Sequence, residues 1–117
     1  MLLTSRFIAL FAVCALLMVP PLPAAADDEI VFTPEFLEDV EVLAEGKKIW
    51  VKRCALCHGQ RAYPGKAPKL DPSKLEIQFV YKRITKGFRG MPAWRKKYDD
   101  KQRMSITAYI MSPGFSN

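Results

Sequence analysis

A chain of 117 residues allows one small domain. Half of its residues are hydrophobic and 26% are charged, which excludes a disordered polymer, and the formal charge of +6 favours acidic partners or anionic surfaces. One histidine and three cysteines exclude chemistry that needs several imidazoles or a dense disulfide framework.

Met1 to Arg6 forms a short positive stretch, and Phe7 to Val19 is an unbroken apolar run. That run is 13 residues long, short of the roughly 20 that cross a bilayer as a helix. Pro20, Pro21 and Pro23 break it ahead of Ala24-Ala25-Ala26, a small-residue cleavage site. The pattern predicts a cleaved secretory signal over 1–26, a mature chain from Asp27, and an exported, periplasmic protein. An uncleaved anchor fits less well. A lipoprotein site at Cys14 fits less still, because Val13 stands where a small residue is expected. Cys14 leaves with the signal, so the mature chain keeps Cys54 and Cys57.

Charge then divides the mature chain. Residues 27–45 hold eight acids and no base, an acidic N-terminal segment leading into the first helix. Residues 46–117, the expected domain, hold seventeen Lys or Arg against four acids, a net of +13. Thr33 suits a helix cap, with Pro34 at the first position and Glu35, Glu38 and Asp39 near the positive end. Phe36, Val40, Leu43 and Trp50 would share one face of a helix running into Cys54. Its start lies either at Pro34 or near Asp39.

Cys54-Ala55-Leu56-Cys57-His58 follows, and it carries the most chemistry in the chain. Two cysteines one helical turn apart, with a histidine after the second, read as a c-type haem attachment site. Each thiol can add across one haem vinyl group, and His58 then offers its imidazole to the iron as the proximal ligand. The other readings of an exported Cys-x-x-Cys are a structural disulfide, a thiol oxidoreductase and zinc. A thioredoxin-like site would need strands alternating with helices, which this chain lacks. Zinc stays open, because a carboxylate would complete the set Cys54, Cys57 and His58.

Gln60 to Ser73 is rich in Gly, Pro and Lys and should form an ordered loop. Ser73 and Glu76 match a capping box, and Ile77, Val80, Tyr81 and Ile84 keep helical spacing until Gly87. Gly87, Gly90 and Pro92 then forbid regular helix around Met91. A Met-Pro loop alone reads as packing on a small core. Beside a haem motif, Met91 becomes the expected second axial ligand. A third helix begins near Asp99 or Asp100, carries Met104, Ala108 and Met111 on one side with Ile106 and Ile110 adjacent, and stops at Pro113-Gly114. The expectation is an all-α domain of three main helices and long loops around one covalent haem c. Arg89, Trp94 and Tyr98 are candidates for haem-propionate contacts. Trp94 comes first among them, since its indole N–H lies beside the Met91 loop, and core packing explains it equally well.

These motifs, from about residue 40 to 112, resemble the class I c-type cytochromes, small monohaem electron carriers. Gly46 and Trp50 ahead of the haem motif, and Tyr109 on the last helix, match positions where that family's first and last helices cross closely. Ala67-Pro68-Lys69-Leu70 is similar to the family's Gly-Pro-x-Leu, with Ala67 in place of glycine. The resemblance implies that the Pro68 carbonyl accepts a hydrogen bond from the haem histidine and that Leu70 packs on the ring. The interval from His58 to Met91 is short for the family, which implies a trimmed loop.

Taken with the resemblance, ligation by His58 and Met91 would fill the iron's coordination sphere and suit one-electron exchange between a dehydrogenase and an oxidase or another cytochrome. The same domain would serve as a fixed haem subunit of an exported oxidoreductase complex, a second reading. A ligand-sensing haem module ranks third. Arg61, Lys66 and Lys69 in one loop, with Lys86, Arg89, Arg95, Lys96 and Lys97 around the Met91 loop, predict a positive ring that steers acidic redox partners.

Overall fold

Thr33 begins the helical part of the chain, its hydroxyl accepting the Phe36 amide at 3.3 Å, with Pro34 at the first position of α1 (Pro34–Glu38). The computed structural model describes residues 29–115; the expected signal over 1–26, with Cys14, lies outside the described residues. Asp39 breaks the helix with an extended ψ of 120°, and its carboxylate accepts the amides of Glu41 at 2.8 Å and Val42 at 3.2 Å to start α2 (Val40–Ile49). Both expected starts are therefore used, by two helices. The break also shifts the helical phase. Val40 is 77% exposed rather than on the core face, and the buried stripe is Val42, Gly46, Ile49 and Trp50.

Past Ile49 the helix widens into a π turn, Trp50–Cys54, in which the Trp50 carbonyl accepts the Ala55 amide, and closes as α3 (Ala55–His58). Such insertions concentrate where a helix presents functional groups. The Gln60–Ser73 loop folds back on this end. Trp50 Nε1 donates to the Gln60 carbonyl at 3.0 Å, and the Ala67 amide donates to the Cys57 carbonyl at 2.8 Å.

The expected capping box at Ser73 does not form. Asp71 accepts both the Ser73 amide at 3.2 Å and the Ser73 hydroxyl at 2.6 Å, which ties Ser73 into a short 3₁₀ turn, Pro72–Lys74. The Asp-Pro pair nucleates that turn, so the next helix, α4 (Ile77–Lys86), starts at Ile77 with Glu76 as its cap. α4 buries Val80, Tyr81 and Ile84 as its spacing predicts. A 3₁₀ turn, Trp94–Lys96, precedes α5 (Asp100–Met111). The box that does form is Asp99 with Gln102, each side chain bonded to the other's amide, at 2.8 and 3.2 Å.

α2 and α5 pack most extensively on each other, and α4 lies against α5. A β-carbon on Gly46 would run into the Ser105 carbonyl, so glycine is what lets the two helices touch. Beyond Pro113-Gly114 the chain turns back, and Phe115, fully buried, sets its ring edge-on to Trp50 at 4.7 Å and Tyr109 at 5.4 Å. Burying an aromatic of this kind stabilises by about 1.5–3 kcal/mol. The N-terminal segment also packs inward, with Phe32 5.9 Å from the Tyr81 ring and Gln78 donating to the Ile30 carbonyl at 2.6 Å. Among the described residues there is no strand, only an isolated bridge between Phe88 and Met91.

Candidate functional site

Cys54 closes the π turn half-buried, Cys57 is exposed, and both are free thiols. Burial, reinforced by the neighbouring Cys57, pushes the Cys54 thiol up to about 12, so it stands protonated and neutral. Burial holds the His58 imidazole below its ordinary value, which leaves a neutral ring able to ligate. The Trp50 ring lies 5.6 Å from the His58 ring, tilted by 37°, and Trp50 is itself fixed by the Gln60 carbonyl. The haem motif is thus steadied from behind by the most buried aromatic of α2 and the π turn.

His58 Nδ1 is buried without a hydrogen-bond partner. The bond to the Pro68 carbonyl implied by the resemblance is therefore not formed in this structure. Pro68 is exposed, one residue beyond the Ala67 amide that holds the loop to Cys57. A buried ring nitrogen without a partner is costly for a folded chain and marks a site completed by something else.

Met91 sits in a tight turn. Its amide donates to the Phe88 carbonyl at 2.9 Å, and the Phe88 amide donates to the Met91 carbonyl at 3.0 Å. Gly87 makes the turn possible. Its φ is 71°, and a β-carbon there would lie 2.8 Å from both the Ala93 nitrogen and the Pro92 carbonyl carbon. The thioether is thereby held on a backbone with little freedom.

One buried cluster gathers these pieces. Trp50, Val80, Ile84, Ile106 and Tyr109 form its centre; Cys54, Leu70, Leu75, Met91, Trp94 and Tyr98 pack against it. Four of the expected site residues, Cys54, Leu70, Met91 and Trp94, therefore share one apolar neighbourhood, while Cys57 and Pro68 stay at the surface. Trp94 and Tyr98 lie with ring centroids 5.8 Å apart, and Arg89 places its guanidinium 5.0 Å from the Phe88 ring. Among the described residues no three His, Cys, Asp or Glu side chains converge to hold a bare metal ion. The donors present, two thiols, an imidazole with a buried unpartnered nitrogen and a thioether on a fixed turn, fit a flat iron macrocycle.

Sequence reasoning missed several contributors. Thr85 Oγ1 and Arg53 Nε are buried without partners; Thr85 falls four residues after Tyr81 on the α4 stripe, and that spacing is the signal for it. Ala62, buried in the loop at a φ of 70°, and Phe115, beyond a helix stop, carry no local signal.

Comparison with known proteins agrees with this geometry. Residues 41–110 match the family model described as cytochrome c oxidase, cbb3-type, subunit III. A cbb3-type cytochrome c oxidase subunit CcoP of Azospirillum sp. (strain B510) is 30% identical over 89 residues, covering 65% of this chain and 30% of that relative. Cytochrome c6 of Cladophora glomerata is 27% identical over 81 residues, covering 62% of this chain and 89% of the relative. The chain thus spans about 30% of the length of its CcoP relatives. The crystal structure of cytochrome CL from Methylophaga aminisulfidivorans MPT superposes with a TM-score of 0.57 at 20% identity, covering 64% of this chain and 55% of that one, which shows a shared fold. Family membership implies haem c with iron as the cofactor. The chain belongs to the cytochrome c family that includes subunit III of cbb3-type oxidases, and among the described residues it is a helical electron-transfer domain.

Proposed function

We propose that this chain is an exported monohaem c-type cytochrome that carries single electrons between a dehydrogenase and an oxidase or another cytochrome. In this reading residues 1–26 are removed on export to the periplasm, 27–45 form an acidic lead-in, and 46–117 form the haem domain. Cys54 and Cys57 hold haem c covalently, and His58 and Met91 ligate its iron. The observation that carries the reading is the Gly87–Met91 turn, which sets a thioether on the same buried cluster as Cys54.

When bound, haem c supplies a one-electron ferric/ferrous couple. Trp50 packs against the His58 ring and would help to orient it toward the iron. Leu70 and Leu75, which pack on the same buried cluster, would help to exclude water from the macrocycle, and the Trp94 indole N–H would be available to a propionate. As the second ligand, Met91 would deny the iron to outside ligands and raise its potential.

A second reading, a fixed haem subunit of an oxidase complex, is favoured by the match to CcoP over a fraction of that protein's length. Purification separates the two, since a free carrier elutes as a monomer and a subunit co-purifies with partners. The common core is tested by producing the full chain with a haem-attachment system. Haem should survive denaturing electrophoresis in the wild type and be lost from Cys54→Ser/Cys57→Ser. Haem that dissociates from the wild type contradicts the reading.

A further inference from the structure

The outer face of α4 carries a feature that haem binding does not use. Phe79 and Phe88 leave two large rings 45% and 50% exposed on this face. The Arg83 guanidinium lies between them, 4.8 Å from the Phe79 ring centroid and 3.9 Å from that of Phe88. Both distances fall within the range of cation–π attraction, which holds the guanidinium plane in a fixed place. Phe79, Lys82, Arg83, Lys86 and Gly87 line a shallow groove at this spot, and no acid is among them. Residues 77–98 hold seven Lys or Arg and no Asp or Glu.

The groove is joined to the iron site through the backbone. Phe88 exchanges both of its main-chain hydrogen bonds with Met91, and Gly87 packs on the Met91 carbonyl. A partner seated on Arg83 and Phe88 therefore rests on the turn that carries the Met91 thioether. The loop bearing Arg61, Lys66 and Lys69 is tied instead to the Cys57 side.

We infer that the groove along Phe79, Lys82 and Arg83, with the adjoining Phe88 ring, is the electron-exchange dock of this domain, and that its partner is a redox protein presenting surface carboxylates around an apolar spot. The inference rests on the electron-carrier reading above and selects the Met91 side over the Cys57 side. Charge complementarity supplies the partner's chemistry. A guanidinium stacked between two rings offers its fork of N–H donors to a carboxylate at little ordering cost. A lipid surface fits less well, because the charge stands at the centre of the patch and the ring faces are already taken by it.

The test uses the holoprotein and a reduced flavodoxin, an acidic flavoprotein, as electron donor at low ionic strength. Lys82→Gln/Arg83→Gln should slow the bimolecular rate by about fivefold or more, the size expected for losing a close charge contact at a wet surface. Phe79→Ser should keep a deficit at high salt, where charge steering is screened. Arg61→Gln/Lys66→Gln/Lys69→Gln, which removes more charge but leaves the groove intact, should slow the rate less than the α4 pair does, and every variant should keep the wild-type visible spectrum. Amide shifts on titration with oxidised flavodoxin, which need no electron transfer, should centre on residues 79–89. Unchanged rates in the α4 variants, a loss confined to the loop variant, or shifts centred near Cys57 would overturn the dock. So would binding to phosphatidylglycerol vesicles that depends on Phe79 and Phe88. A wild type without a reducible haem contradicts the electron-carrier reading instead, and the shift map still decides the dock.

Discussion

Gly46 of α2 and Tyr109 of α5 meet so closely that a β-carbon on Gly46 would lie 2.8 Å from Tyr109 Cβ. Two effects oppose each other in Gly46→Ala. Helix propensity favours alanine by about 0.8–1.0 kcal/mol. Forcing a methyl group onto the Ser105 backbone costs about 1–3 kcal/mol, and backbone yields less readily than a side chain. Because the added carbon meets backbone, the clash should win, leaving the holoprotein destabilised by up to about 2 kcal/mol in denaturant titration. A more stable variant would show that the helices do not cross this tightly.

The Met91 turn gives a second prediction, with a readout apart from stability. Gly87→Ala should move the turn, because the added carbon meets the Pro92–Ala93 backbone and the φ of 71° disfavours a side chain. Covalent haem should remain while the sulfur-to-iron absorption weakens. Met91→Ala should abolish that absorption and bind added imidazole more tightly than wild type. If Met91→Ala binds imidazole no better than wild type, methionine is not the ligand.

A buried guanidinium joins α4 to the start of α5. Arg103 is 6% exposed, donates to the Asp100 carboxylate and to the Asp99 carbonyl at 3.3 Å, and lies 5.5 Å from the Tyr81 ring centroid. Asp100 also accepts the Tyr81 hydroxyl at 3.3 Å. The two partners are unequal, with side chains 8% and 67% exposed for Arg103 and Asp100. Asp100→Ala strands a buried charge and should cost about 2 kcal/mol. Arg103→Met leaves a carboxylate that water can solvate and should cost less than Asp100→Ala. Thermal melts of the two holoprotein variants give the comparison, and the reverse order would contradict the pairing.

Alkaline stability should depend on Tyr109. Burial raises its phenol above the ordinary 10.0, against a smaller opposing pull from Arg61. The folded chain therefore keeps a proton that the unfolded chain releases first. The stabilising contribution is intact below pH 10.0 and is lost as pH rises through the higher folded value. Denaturant midpoints across that window should fall less in Tyr109→Phe than in wild type. Equal slopes would remove Tyr109 from the transition.

What could be read from the chain and what could not divide along contact range. The helix start near Asp99 or Asp100 and the Val80–Tyr81–Ile84 stripe are local patterns, and each lies where its spacing places it. The all-helical fold followed from those patterns and from the resemblance they support. The failures arose where a local signal met a competitor. Ser73 bonds to Asp71 two residues back instead of capping α4, and Asp39 breaks the first helix and turns Val40 outward. Other features were out of reach of any window. Phe115 packs on Trp50 across 65 residues, and Ile30 is tied to Gln78 across 48. Met91 and Trp94 stand out by their chemistry and Leu70 by the family resemblance, and the tertiary fold brings all three to one cluster with Cys54.

Absorption spectra of the ferric and ferrous full chain, produced with a haem-attachment system, test the ligand set most directly. His58/Met91 ligation predicts a covalent, low-spin haem with a ferric sulfur-to-iron charge-transfer band. A high-spin spectrum would contradict it by showing an open iron. Absence of covalent haem would return Cys54 and Cys57 to disulfide or metal chemistry.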